Sequence, residues 1–290
     1  MKSTTLTKLD SITFDELIRR QRPFQAVEPV FDLSSITLIT PSPIVQIAAA
    51  CFALARDGRT PKVILGSEIR GYLERCGFFR VVGEWCEKEP QDEWQLALSE
   101  SRRGTNPLLI ELTHLRDGRE LPKLLAKIVE VLQDRLKYKK NDAYDIATVV
   151  SEICQNIFDH NKNAAGFLAM QVYGKDEKRF IEIAVSDYGS GLLSTLRRNP
   201  KNGAIRTDLD AIQTAIKRGT SEHDDPTRGT GLYHLLNIAY KHKGLVQIKS
   251  GESTVRYRMD RRKGYAFPEM VIPGVHITVN LPSKEASIRA

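Results

Sequence analysis

Short apolar runs alternate with longer apolar-rich segments along the first hundred residues, and this pattern predicts strands and helices in turn. A strand is expected from Val30 through FDLSSITLIT, then a turn at Pro41-Ser42-Pro43, then a helix in IVQIAAACFALARDG. A second strand, PKVIL, precedes a second helix, SEIRGYLERCGFF, with Ser67 as its expected N-cap. The alternation predicts a small α/β unit.

A polar, charged stretch at residues 84–105 is the expected connection to a second domain. Beyond it, LLIEL predicts a strand and residues 121–136 predict a long amphipathic helix. A chain of 290 residues with 41% hydrophobic content can build two cores. We therefore expect one domain at residues 1–100, connection included, and another at 104–290.

Residues 145–160 form the most informative helical pattern, with apolar residues at steps of three and four. The opposite face carries Glu152, Asn156 and His160, each one turn from the next. An asparagine between a glutamate and a histidine is unusual for a merely solvated helix face. The pattern therefore indicates a candidate polar site on a half-buried helix.

The segment AGFLAMQVYGKDEKRFIEIAVSDYGSGL predicts a β-hairpin whose second strand ends at Asp187. Gly189 and Gly191 follow at alternate positions, where a missing side chain lets a flat ligand approach the backbone. A carboxylate there can accept a hydrogen bond from an adenine amino group and leaves a guanine carbonyl unpaired. The same residues are also compatible with an ordinary turn after a strand.

A polar, turn-rich segment at residues 218–231 lies between predicted helices at 209–216 and 232–240, and it predicts a mobile lid. Gly229 and Gly231 free backbone amides to surround a phosphate. The helix that begins near Leu232 directs its N-terminal N–H groups toward the same place. These features predict a phosphate-binding end of the candidate site.

Charge and cysteine content narrow the function classes. The net charge is +7, but 43 basic and 36 acidic residues are mixed along the chain, and no nucleic-acid-binding signature accompanies the basic run near Arg256, which is expected to be a solvated loop. The four cysteines show no metal or redox spacing and are expected to be reduced, mostly buried thiols. There is no export signal and no apolar run long enough for a membrane span, so a cytoplasmic location is expected and nucleic-acid binding is not.

Three of these segments resemble the motifs of GHKL (histidine-kinase-like) ATPases, in the same order along the chain. The N box is matched by Glu152-Asn156-His160, the DxGxG box by the element that begins at Asp187, and the second glycine box by Gly229-Thr230-Gly231-Leu232. The resemblance extends over residues 106–282. The family's later glycine in the third box is Tyr233 in this chain.

The resemblance implies an α/β (α+β) fold, specifically a Bergerat-type sandwich with a mixed sheet on one side and helices on the other. It implies ATP and Mg²⁺ as cofactors, with Asn156 as the metal ligand and Glu152 as the group that positions or deprotonates the nucleophile. The residues implied in nucleotide binding, besides Asn156, are Asp187, Gly189, Gly191, Gly229, Thr230, Gly231, Leu232 and, in the last strand VHITVNLP, Thr278.

The first hundred residues resemble in pattern a STAS domain, the fold of anti-sigma-factor antagonists. Ser42 stands where phosphorylatable members carry their acceptor serine, although Thr40, Pro41 and Pro43 depart from the family's motif. A serine that begins a helix is the alternative interpretation.

Two hypotheses for the use of ATP stay open. One is a serine kinase of the anti-sigma-factor type, with its own STAS-like domain or a STAS-type protein as partner. The other is a nucleotide-gated interaction module, with slow ATP hydrolysis or none. Either form is compatible with a homodimer.

Overall fold

The protein is a mixed α/β structure, and the computed structural model describes residues 5–100, 109–160, 166–217, 230–258 and 263–284. The first hundred residues form a parallel sheet in the order β2-β4-β5, a parallel pair β1-β3, and five helices among the described residues. The elements are β1 (Lys8–Leu9), α1 (Phe14–Gln21), β2 (Val30–Leu33), β3 (Leu38–Ile39), α2 (Pro41–Arg56), β4 (Lys62–Leu65), α3 (Ser67–Arg75), α4 (Phe78–Val82), β5 (Glu87–Glu89) and α5 (Gln91–Glu100).

Helix α2 begins earlier than the sequence predicted. Pro41 and Pro43 lie in its first turn and not in a turn before it, because a proline there removes an N–H that has no partner within the helix. Ser42 is consequently inside the helix, and Thr40 holds the N-cap position without a side-chain capping bond. Almost every residue of α2 is buried, Ser42 and Gln46 included.

The predicted connection between the domains is instead largely ordered structure of the first unit. It contains β5, which pairs with β4, and α5. Trp94 of α5 is fully buried and packs edge-on against Phe79 at 4.8 Å between ring centroids. The surrounding charged residues obscured this buried face in the sequence.

The second half of the chain forms a five-stranded sheet in the order β6-β7-β8-β10-β9, with helices between its strands. Its elements are β6 (Leu109–Leu115), α6 (Leu121–Asp134), α7 (Lys140–His160), β7 (Gly166–Tyr173), β8 (Phe180–Asp187), α8 (Gly191–Leu196), α9 (Asp208–Ala215), α10 (Gly231–Lys241), β9 (Leu245–Arg258) and β10 (Lys263–Pro282). Two short 3-10 turns, Asp176–Lys178 and Pro200–Asn202, lie in the connections.

The predicted mixed sheet is not observed in the described residues, because every pair of neighbouring strands there is antiparallel. β10 lies between β8 and β9 and pairs antiparallel with both, so β8 and β9 run in the same direction. The parallel relationship therefore exists, but between strands that are not neighbours.

The sheet is buried on both faces. Apolar side chains of alternate residues, including Ile183, Ile277 and Val279, pack against helices α6 to α10. On the opposite face, Phe167, Ala169 and Ala184 join the hydrophobic core of the first hundred residues. Helix α2 lies across β7 and β8 on that face. The sheet is therefore the central layer of the described structure.

Polar contacts also fasten the first unit to the sheet. The backbone N–H of Ser42 donates to Glu182 Oε1 at 3.0 Å, and the hydroxyl of Thr278 donates to Ser42 Oγ at 2.7 Å. Burial raises the pKa of the Glu182 carboxyl. Because this carboxyl receives an N–H of the first turn of α2, it acts as an N-terminal cap supplied by the other half of the chain.

A buried ion pair joins α1 to β9. Lys249 Nζ donates to Asp15 Oδ1, and both side chains are almost fully buried. Arg256 lies 3.6 Å from the second Asp15 oxygen and also bonds Gln247, whose amide donates to the Ser11 carbonyl. Arg256 is therefore part of this interface, not of the solvated loop that the sequence predicted.

All four cysteines are free and buried, as predicted. Within the described ranges, no helix has the length and apolar character needed to cross a membrane.

Candidate functional site

The candidate site lies where α7 and α10 pack against each other in opposite directions. Gly231 at the start of α10 faces Glu152 and Asn156, whereas Lys241 at its end bonds Asp142 at 2.6 Å. Buried residues of α7, such as Ile153 and Ile157, hold the helix on the sheet. Glu152 and Asn156 are left half-buried beside α10.

Gly231 allows this close approach. A Cβ atom at Gly231 would lie 3.3 Å from Glu152 Cβ and 3.6 Å from Asn156 Nδ2, which is tighter than ordinary packing at the first of these contacts. Leu232 is buried and holds the first turn of α10 on the core. Thr230 occupies the N-cap position without a side-chain cap bond. The structure thus brings together five predicted site residues: Glu152, Asn156, Thr230, Gly231 and Leu232.

The first N–H groups of α10 have no partner within the helix, as at any helix N-terminus. They lie at the end that faces the Glu152–Asn156 pair. Together with the positive end of the helix dipole, they make this end suited to an anion. An amide oxygen and a carboxylate beside it are suited to a hard divalent cation and to proton transfer.

His234, one turn after Gly231, is a site residue that the sequence analysis missed. Its Nδ1 lies 3.4 Å from Glu152 Oε2, and both side chains are partly exposed, 44% and 34%. In the sequence, His234 lies within the helix predicted at 232–240 and belongs to no recognisable motif spacing. Only the packing of α10 on α7 reveals its partner.

Asp187 ends β8 with its side chain on the helix-covered face, following Ile181, Ile183 and Val185. It is 5% exposed, and its Oδ1 accepts the Gly189 N–H at 2.7 Å. Burial raises the pKa of this carboxyl to about 7, against the lowering effect of hydrogen bonds from the Gly189 and Val275 backbones. Such a group can present a hydrogen-bonding oxygen in an apolar surrounding.

Two glycines shape the backbone next to Asp187. Gly191 has φ +73° and begins α8, where the N–H of Leu192 donates to Ser250 Oγ at 2.8 Å. Gly274 has φ +95°, and any Cβ there would overlap the Asp187 carbonyl. Gly274 was not among the predicted site residues, although a Pro-Gly pair inside an apolar strand pattern signals an irregularity. It lies where the β9–β10 register shifts.

Thr278 does not join this group. It lies on the opposite face of the sheet from Asp187, opposite Ala184, and bonds Ser42. The expectation that Thr278 lies beside an adenine is therefore not supported by its position. Gly229, most of the predicted lid and the His160 side chain lie outside the described residues.

A groove of about 300 Å³ continues from His234 along the α7–α10 seam. Thr148, Asn237 and Ile238 line its middle, and Asp145 and Lys241 line its far end. Within the part of the chain that is described, no three His, Cys, Asp or Glu side chains converge on a metal-sized site.

No protein-family model matches the chain, and no curated protein matches it in sequence.

Proposed function

We propose that the chain is a signalling protein that binds Mg²⁺–ATP, with residues 104–290 forming a GHKL ATPase domain of the Bergerat type and residues 1–100 a STAS-like unit. The single observation that carries this proposal is the packing of Gly231, at the N-terminus of α10, onto Glu152 and Asn156. A GHKL site requires three sequence motifs, far apart along the chain, to lie next to one another. Glu152 and Asn156 come from the first of these motifs and Gly231 from the third, and these residues are neighbours.

Each residue has a role that its surroundings support. The Asp187 carboxyl reads the adenine amino group, and Gly189 leaves room along the backbone, whereas the missing side chain of Gly191 makes space for Ser250 Oγ. The N–H groups of Thr230, Gly231 and Leu232 bind phosphate oxygens at the start of α10. Asn156 Oδ1 holds Mg²⁺, which when bound offsets negative charge on the phosphates.

Glu152 acts on the nucleophile, and we propose transfer of the γ-phosphate to a serine of a STAS-type partner as the main reaction. Its half-buried carboxylate can hold or accept the proton of a hydroxyl beside the phosphates. Ser42 of the same chain is 0% exposed. The acceptor is therefore better sought in a partner protein than in the folded N-terminal unit.

Titration of ATP with Mg²⁺ into the wild type, Asp187→Ala and Asn156→Ala tests nucleotide binding. We expect Asp187→Ala to lower ATP affinity at least about fivefold, since one lost buried hydrogen bond is worth about 1–3 kcal/mol. Asn156→Ala should lower only the part of the ATP affinity that depends on Mg²⁺. Equal affinity of Asp187→Ala and wild type would overturn the adenine-reading role.

Radiolabel transfer from γ-labelled ATP tests the reaction, with Glu152→Gln as the control that retains only residual activity. Label on an added STAS-type protein supports the kinase, whereas free phosphate alone supports an ATPase. The absence of both products despite ATP binding would argue against a catalytic Glu152 and favour the second candidate function.

That second candidate, a nucleotide-gated interaction module, is favoured by the residue next to Asp187. Tyr188 packs toward the first unit, with its ring centroid 6.1 Å from that of Phe24. Asp187 thus faces the candidate nucleotide site, while the next residue, Tyr188, faces the N-terminal unit. Hydrogen exchange of α2 and of the Phe24 segment with and without ATP tests the gating. Unchanged exchange at saturating ATP would contradict it.

A further inference from the structure

We propose that His234 is the positioning residue for Glu152, an inference that rests on the proposed function. Within the described residues, His234 is the side chain that the structure brings into hydrogen-bond reach of the Glu152 carboxylate. It comes from α10, whereas Glu152 comes from α7. The contact therefore exists only when the two helices are packed together.

The contact constrains Glu152 from two sides. Gly231 lies against the Glu152 Cβ, and His234, one helical turn later on the same face of α10, reaches Oε2 with Nδ1. A glutamate side chain has several rotatable bonds, and placing its carboxylate in one position costs conformational entropy. Packing at Cβ and the contact at Oε2 restrict the Glu152 rotamer before substrate arrives.

The two carboxylate oxygens of Glu152 have different roles. With Nδ1–H donating, Oε2 is occupied by the imidazole and Oε1 is left for the nucleophile. In the transfer step, the hydroxyl proton passes to Oε1 while the nucleophile oxygen bonds to the γ-phosphorus. The bond from that phosphorus to the β–γ bridging oxygen breaks, and ADP leaves with the electron pair.

The distance of 3.4 Å is at the long end for a hydrogen bond. Catalytic hydrogen bonds are often long without substrate and shorten when a charged ligand binds. The partial exposure of both groups leaves space for the nucleophile to approach. The groove along the α7–α10 seam opens next to His234 and offers a route for an acceptor side chain.

Four variants test the role: His234→Leu, His234→Asn, Glu152→Gln and the double variant His234→Leu/Glu152→Gln. Leucine removes the donor, whereas the asparagine amide places an N–H close to where histidine Nδ1 stands. Tyr240→Leu, at an exposed position of the same helix that does not line the groove, is the matched control. The readouts are kcat and KM for ATP turnover and a separate Kd for ADP.

We expect His234→Leu to lower kcat about tenfold or more, with KM and the ADP Kd nearly unchanged, because misplacing a catalytic group affects the transition state more than binding. His234→Asn should restore most of kcat. In the Glu152→Gln background, removal of His234 should have no further effect, since it acts through that carboxylate. Tyr240→Leu should behave as wild type.

Three results would overturn the inference while leaving ATP binding intact: an unchanged kcat in His234→Leu, an equal loss of kcat in both Glu152 backgrounds, or ATP binding by the wild type with no turnover. Failure of the wild type to bind ATP or ADP at all would instead contradict the proposed function itself.

Discussion

Asp187 shows how a single buried carboxyl can serve a site at the expense of stability. Its pKa is raised to about 7 by burial. In the unfolded chain the same group titrates near 3.8. Between these two pH values the folded state binds a proton that the unfolded state releases, so the free energy of unfolding falls as pH rises.

Asp187→Asn should remove this pH dependence. From pH 5 to pH 8, we expect the stability of the variant relative to wild type to increase by about 2–3 kcal/mol, because the wild type alone must ionise a buried carboxyl. Chemical denaturation at several pH values measures the difference in the free energy of unfolding between Asp187→Asn and wild type. The contribution of the buried His276 is the same in both proteins and cancels from this difference. A difference that does not change with pH would contradict the raised pKa.

Ser42 gives a prediction about modification. It is 0% exposed and accepts hydrogen bonds from Thr278 and Gln46. Ser42→Ala should lower the free energy of unfolding by about 1–2 kcal/mol, the effect of lost buried hydrogen bonds. Ser42→Asp should lower it by more than about 3 kcal/mol, because a second carboxylate would be buried beside Glu182.

Denaturant unfolding of both Ser42 variants measures these effects. Equal stability of Ser42→Asp and Ser42→Ala would indicate that the first turn of α2 leaves the sheet easily. In that event the serine would be accessible to a kinase after all.

At the scale of elements, the seam between α7 and α10 depends on the missing side chain of Gly231. Gly231→Ala should lower ATP turnover about tenfold, because its Cβ would push against Glu152 and displace α10 by a few tenths of an ångström. Stability should change by less than about 1 kcal/mol, since alanine favours helices over glycine.

Gly71→Ala is the matched control for this substitution. Gly71 lies inside α3, where a Cβ would meet the Arg75 guanidinium at 3.5 Å. It should raise stability by about 1 kcal/mol and leave turnover unchanged. Unchanged turnover in Gly231→Ala would show that the seam tolerates a methyl group.

Elements with strong periodicity were predictable from sequence. The amphipathic pattern located α7 and the hairpin pattern located β7 and β8, because each depends on neighbouring residues. Strand alternation could also have placed Thr278 correctly. It alternates with the apolar residues Ile277 and Val279, which face the helices, so it must face the other way.

At the scale of the whole molecule, the buried ion pair between Lys249 and Asp15 joins α1 to β9. Asp15→Leu should lower the free energy of unfolding by about 3–5 kcal/mol, because Lys249 would stay buried without its partner. The double variant Asp15→Leu/Lys249→Met should recover most of the loss. The exposed contact of Glu16 with Arg19 is the control, and Glu16→Gln should change stability by less than about 1 kcal/mol.

Thermal or denaturant unfolding of the three variants measures this coupling. A loss in the double variant as large as that of Asp15→Leu, or larger, would contradict a direct pair. In that case Arg256, which also reaches Asp15, would be the more important partner.

The arrangement of the whole molecule was less accessible from sequence. The insertion of β10 between β8 and β9, and the contact of His234 with Glu152, join residues that are far apart along the chain. Local patterns carry no information about such pairings. The docking of α2 on the sheet was hidden for the same reason, although its almost uniformly apolar composition indicates burial on more than one side.

Because the two hydrophobic cores pack on opposite faces of the same sheet, we expect the two halves of the chain to unfold together as one cooperative unit. Both tryptophans, Trp85 and Trp94, lie in the first half, so their fluorescence reports on that half, whereas far-UV circular dichroism reports on the whole chain. The two signals should change at the same temperature. Separate transitions would mean that the two halves are independent modules. Coincident transitions would mean that the second half depends on the first, so a fragment lacking the first hundred residues would expose an apolar sheet face and aggregate.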